Sequence, residues 1–140
     1  MSIPQQIQNY VLSIDEPKRN EIEVLHQMIL KINPKIQLWF ENGLNEEGKV
    51  ISNPNIGYGT YTINYANGKT KDFFRIGLSA NTKGISVYIM GIEDKKYLLD
   101  NFGSTIGKAK VTGYCINFKT IHDIQLEVLA EVLKFGLEQE

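Results

Sequence analysis

The sequence predicts an α+β domain in which an antiparallel β-sheet of about four strands carries its helices mainly on one face. Three observations predict this fold class. Apolar residues recur at helical spacing near both ends of the sequence, aromatic and β-branched runs fill its middle, and Asn67-Gly68 separates two of those runs. Because the helical patterns flank the strand patterns, an antiparallel sheet is favoured.

The helical patterns have recognisable starts and stops. Ser2 is the candidate N-cap of a first helix, and Asp15 is the candidate cap of a second, which Asn33-Pro34 ends. Two further helices are predicted over residues 93–102 and 123–135. Their apolar positions give each of the long helices one face to bury.

Four strands are predicted between these helices, over residues 56–65, 73–79, 85–90 and 114–118. Residues 36–54 fit no single pattern, so an irregular segment or a short hairpin is predicted there.

The first two strands are predicted to form a hairpin with Asn67 and Gly68 as its two turn residues. Asn-Gly suits the positive φ angles of a type I′ turn. Counting outward from this turn pairs Thr60 with Arg75. One face then collects the apolar side chains that should pack on the helices, namely Tyr61, Ile63, Phe74, Ile76 and Leu78.

The opposite face is predicted to be polar and aromatic, and it is the first candidate binding surface. Its candidate ligand-binding residues are Tyr58, Thr60, Arg75 and Tyr88. The alternative interpretation is structural, with the face half covered by neighbouring segments and Arg75 paired to a carboxylate. Glycines within these strands, such as Gly57 and Gly77, suggest a bulge or the close approach of another group.

Composition and charge limit the class of protein. The chain has 140 residues, which suits a single domain over residues 1–140, with 15 basic and 16 acidic side chains and a formal charge of -1. This balance argues against nucleic acid or an anionic membrane as a partner. The first residues lack the features of a signal peptide, and no apolar run approaches a membrane span, so a cytoplasmic location is expected.

Two further groups of residues are candidates for binding sites. The glycine-rich loop over residues 103–110 does not fit a P-loop, but Lys108 and Lys110 with its backbone amides suit a small anion. A solvated basic loop is the alternative. The carboxylates at the start of the second helix are candidate metal ligands, although the helix dipole alone explains acidic residues there: Asp15, Glu16, Glu21 and Glu23.

Several strand segments carry a family resemblance. Residues 57–61, 65–69 and 73–79, followed by 85–90 and 115–119, resemble in sequence and order the signature of the YdhG-like family of bacterial proteins. The resemblance covers nearly the whole chain. It departs from the family pattern at an insertion over residues 40–55 and at Thr112-Gly113-Tyr114, where many relatives carry a basic residue.

The resemblance implies a function for one branch of the family, a frataxin-like iron chaperone. It would bind iron weakly through exposed carboxylates and deliver it to iron-sulfur or haem assembly. The alternative is a protein-interaction or small-anion-binding domain that uses the polar sheet face around Arg75. No nucleophile, base and orienting group converge in the sequence, so a binding protein is expected rather than an enzyme.

Overall fold

A computed structural model describes residues 1–138 of the chain and confirms the α+β class. Its sheet is open and antiparallel, with strand order β1-β2-β3-β4-β6-β5. It has six strands, so the predicted number of four is wrong. Their bounds are β1 Leu38–Glu41, β2 Asn55–Asn64, β3 Thr70–Asn81, β4 Gly84–Ile89, β5 Lys110–Val111 and β6 Cys115–Phe118.

Four helices accompany the sheet, at the four places where helices are predicted. They are α1 Ile3–Ser13, α2 Lys18–Ile32, α3 Tyr97–Phe102 and α4 Leu126–Glu138, and a 3-10 turn at Ile121–Asp123 precedes α4. Within residues 1–138, no helix has the length and apolar character that crossing a membrane would require.

The helix starts confirm one predicted cap and correct another. Ser2 Oγ accepts a hydrogen bond of 3.3 Å from the backbone N–H of Gln5, as expected for an N-cap. The second helix begins only at Lys18, its N-cap residue is Pro17, and Glu16 Oε1 accepts a hydrogen bond of 2.9 Å from the backbone N–H of Asn20 in the first turn. Asp15 is therefore not a side-chain cap.

The two strands missed by the sequence analysis are both at the edges of the sheet. β1 pairs with β2 along the register Leu38↔Tyr58, and the two-residue β5 pairs with β6. Residues 42–53, beyond β1, contain a single bridge between Leu44 and Val50, so part of the predicted irregular segment is a short hairpin.

The hairpin between β2 and β3 has a register one residue away from the prediction. Thr60 pairs with Phe74, not with Arg75. The backbone N–H of Tyr65 donates to Lys69 O, and the turn closes through Gly68, whose φ is 84°. This is a three-residue loop whose last residue is left-handed, a common alternative to the two-residue turn.

The helices pack on the face that carries Tyr58, Ile76 and Ile89. These three side chains are fully buried. Gly136 of α4 lies so close that a Cβ added there would be 3.0 Å from Cγ2 of Ile89. The absence of a side chain at Gly136 therefore lets α4 lie directly on the sheet. The prediction of a helix-covered apolar face is confirmed for Ile76, whereas Tyr58 was predicted on the opposite face.

Phe74 is not on the helix-covered face, contrary to the prediction. A Cβ added at Gly57 or at Gly77 would meet the Phe74 side chain at 2.6 Å, so its ring covers both glycines on the opposite face. The predicted close approach of another group to these glycines is thus confirmed. Phe73 lies beside Phe74, with ring centroids 4.0 Å apart.

Candidate functional site

The residues predicted to form one polar sheet face do not lie together. Tyr58 is fully buried on the helix side, where its hydroxyl lies 2.6 Å from Nδ1 of His26. Thr60 is exposed, and its hydroxyl has only a long contact of 3.5 Å to the Gln37 side chain. Tyr88 is half-buried and stacks on another tyrosine ring. The prediction of a single site that contains these three residues is therefore wrong.

Arg75 is a buried residue with structural contacts. It is only 4% exposed, and its Nη1 donates a hydrogen bond of 2.9 Å to the carbonyl of Met90. Its guanidinium lies over the Tyr61 ring, 4.7 Å from the centroid, as in a cation–π contact. The prediction of Arg75 at the centre of an accessible polar face is therefore corrected.

The four acidic candidates do not form a cluster. Asp15, Glu16 and Glu23 are exposed, whereas Glu21 is buried and accepts a hydrogen bond from the backbone N–H of Ile121. Throughout residues 1–138, no three His, Cys, Asp or Glu side chains lie close enough together to hold a metal ion. The hydrogen bond that Glu21 accepts from Ile121 joins α2 to the 3-10 turn.

Lys108 and Lys110, by contrast, lie in a groove with two further lysines. The groove is open, has a volume of about 410 Å³, and is lined by Lys83, Lys108, Lys110 and Lys119. Asp123 and Asn117 also line it. We call this the lysine groove. The other two lysines come from the turn before β4 and from the residue after β6.

Backbone pairing holds these segments together. Lys110 pairs with Asn117 between β5 and β6, and the N–H of Lys108 donates to the carbonyl of Asp123 at 2.8 Å. The C-terminal part of the glycine-rich loop is thereby fixed against β6 and against the segment that leads into α4. The lysine side chains themselves are exposed.

Gly84 brings the fourth lysine into place. Its φ of 123° is in the region that L side chains rarely adopt, and a Cβ there would collide with the carbonyl of Phe118. The glycine lets the turn that carries Lys83 approach the backbone at Lys119. Lys83 and Lys119 therefore line the same groove although they flank two different, neighbouring strands, β4 and β6.

The charges of the groove are not balanced within the protein. Among residues 1–138 the only ion pair within 4 Å joins Arg19 to Glu16, so none of the four lysines is paired with a described carboxylate. Like charges that surround one depression repel each other, and this repulsion is relieved when an anion enters. The arrangement thus suits the binding of a negatively charged group.

The sequence analysis identified half of this site. Lys108 and Lys110 were found from the loop, but Lys83 and Lys119 were not, because only strand pairing brings them near. The available signal was a lysine directly before β4 and another directly after β6, which antiparallel pairing brings to the same end of the two strands.

Comparisons of the chain with protein-family models, with curated proteins and with solved structures find no match. The YdhG-like resemblance therefore stays a prediction, and the functional argument depends on the geometry of the chain itself.

Proposed function

We propose that this protein is a binding protein that holds a small multivalent anion, such as a phosphate group, in the lysine groove. The single observation that carries the proposal is the convergence of four unpaired lysines on one depression in a chain of nearly neutral net charge. Lysine is a compact cation with three donors and a common phosphate ligand. Backbone hydrogen bonds hold the segments that contain Asn117 and Asp123 in place, and both residues line the groove.

The expected affinity is low because the lysines are exposed. An exposed ion pair contributes roughly 0.2–1 kcal/mol, so four of them reach at most about 4 kcal/mol. That free energy corresponds to a dissociation constant of about 1 mM. The interaction should also weaken with salt, since the Debye length is only about 10 Å at 0.1 M ionic strength.

Isothermal titration calorimetry with inorganic pyrophosphate at low salt tests the proposal. The double variant Lys108→Gln/Lys110→Gln should bind about 2- to 30-fold more weakly, which is the loss of two such ion pairs. Lys95→Gln/Lys96→Gln is the matched control, because it removes the same charge from exposed residues outside the groove. Equal losses in the two variants would show a general charge effect and contradict the proposal.

Iron delivery, which the family resemblance implies, stays a second prediction. Asp15 and Glu16 line an open depression of about 430 Å³ between the α1–α2 connection and the end of β3, and both residues are exposed there. An anaerobic calorimetric titration with ferrous iron tests it in wild type and in Asp15→Asn/Glu16→Gln/Glu23→Gln. Glu21 stays unchanged because it bonds to the backbone of Ile121. Heat at micromolar iron that disappears in the variant would support the site, and none above the buffer control would remove it.

A further inference from the structure

A second cleft lies between α1 and α2 and shares no residue with the lysine groove. Its volume is about 300 Å³, at the lower end of the range of about 300–1,000 Å³ typical of small-molecule sites. Ile7, Val11 and Leu12 line it from α1, and Leu38 lines it from β1. Apolar side chains thus form one part of the wall, and Gln8, Glu23, His26 and Gln27 form the polar part. The polar groups that the inference uses come from α2, where Glu23 and His26 are one turn apart.

The hydrogen bond between Tyr58 and His26 determines which ring nitrogen carries the proton. Tyr58 is 0% exposed, and its hydroxyl lies 2.6 Å from Nδ1 of His26. Burial raises the pKa of Tyr58 well above its ordinary value, so the hydroxyl keeps its proton. Within residues 1–138, Nδ1 is the only hydrogen-bond partner of this hydroxyl. The hydroxyl therefore donates to Nδ1.

A neutral imidazole that accepts at Nδ1 has its own proton at Nε2. Burial lowers the pKa of His26, which favours this neutral form, although the carboxylate of Glu23 acts in the opposite direction. Nε2 is on the side of the ring away from Tyr58, so its N–H is a donor that the core leaves available. His26 is thus held in one tautomer by a buried residue.

Glu23 supplies an acceptor near this donor. It is exposed and close enough to act electrostatically on His26, yet no hydrogen bond joins the two side chains in the described part of the chain. The cleft therefore offers the Nε2–H donor of His26 and the carboxylate acceptor of Glu23 beside apolar side chains, and the amides of Gln8 and Gln27 line it as well.

We propose that this cleft binds a small uncharged molecule with an apolar body and a hydroxyl group. The hydroxyl oxygen accepts from Nε2–H of His26, and its proton is donated to the carboxylate of Glu23. The apolar body lies against Ile7, Val11 and Leu38. A hydroxyl group is both donor and acceptor, so it satisfies both protein groups at once.

Other ligand classes fit these groups less well. An ammonium has no lone pair for the Nε2–H of His26, and a carboxylate would face the negative charge of Glu23. A metal ion would need the lone pair of Nε2, which would move the proton to Nδ1 and leave the buried Tyr58 hydroxyl without an acceptor. The inference is independent of the proposed function of the lysine groove.

The first test compares three ligands of equal chain length by NMR titration of the wild-type protein: hexan-1-ol, hexylamine and hexanoate. Saturable shifts of the His26 ring resonances are expected with hexan-1-ol. Its dissociation constant should be at least about fivefold lower than those of the two charged ligands, the effect of one unmade hydrogen bond. Equal or tighter binding of hexylamine or hexanoate would overturn the proposal.

The second test uses a matched pair of variants and the tautomer itself. Glu23→Ala should weaken hexan-1-ol binding about fivefold, whereas Glu131→Ala, an exposed change on α4, should leave it unchanged. Nitrogen-15 NMR of the imidazole should show Nε2 protonated at neutral pH. Protonation at Nδ1, or unchanged binding in Glu23→Ala, would contradict the assigned donor and acceptor.

Discussion

Replacing Arg75 by methionine should destabilise the fold strongly. The change removes the charge-assisted hydrogen bond from Nη1 to the Met90 carbonyl, which is 2.9 Å long and contributes roughly 1.5–3 kcal/mol. It also removes the guanidinium from the Tyr61 ring, 4.7 Å from the centroid, a contact that contributes roughly 0.5–2 kcal/mol. Methionine retains an apolar stem, so the core is still filled. The expected loss is about 2–5 kcal/mol.

Urea denaturation followed by circular dichroism measures this loss directly. Lys69→Met is the matched control, since Lys69 is exposed in the hairpin loop and its change should stay within about 0.5 kcal/mol of wild type. If Arg75→Met is as stable as that control, then the guanidinium has no structural role, and the assignment of Arg75 to the core would be refuted.

Three further results are expected from the core. The pKa of His26 is lower in the folded state than its unfolded value of about 6.5, so the unfolded chain binds more protons. The free energy of unfolding should therefore fall as the pH drops through that value. Thermal melts between pH 8 and 5 check this, and His26→Gln should flatten the change. Gly77→Ala should cost roughly 1–3 kcal/mol in urea denaturation, because its Cβ would lie 2.6 Å from Phe74, and an unchanged midpoint would contradict that packing. Glu21→Leu should cost about 1–3 kcal/mol, because the buried N–H of Ile121 loses its acceptor, and Glu21→Gln should recover part of it.

The helices were the most predictable part of the fold. α1 has a side-chain cap at Ser2, α2 ends at Asn33-Pro34, and each has an apolar repeat within one continuous segment, so local sequence contains nearly all the information that places them. The start of α3 was predicted four residues early, since Glu93 and Asp94 are typical of a helix start but lie in turns here.

The hairpin register shows why the sheet faces were harder to assign. Asn67-Gly68 correctly predicted a turn, but the sequence allows either a two-residue loop or a three-residue loop with a left-handed glycine. A difference of one residue changes which side chains face each other across the strands. Gly59 adds to the irregularity, because its φ of 75° interrupts regular strand geometry beside Arg75.

The candidate sites depend on contacts that the sequence does not reveal. Lys83 and Lys119 approach each other only because Gly84 allows β4 and the end of β6 to come close. The Glu23-x-x-His26 spacing is present in the sequence and places both residues on one helix face, but this spacing alone does not show which residue bonds to the imidazole. Its partner Tyr58 was assigned to the opposite sheet face.

The most direct test of the lysine groove is a two-dimensional amide NMR titration with inorganic pyrophosphate. The largest shifts should come from the backbone amides of Lys108 and Lys110 and from the side-chain amide of Asn117. They should saturate near millimolar ligand and weaken as salt is added. If the shifts instead spread evenly over exposed lysines such as Lys95, or are absent from the groove, the central claim would be contradicted.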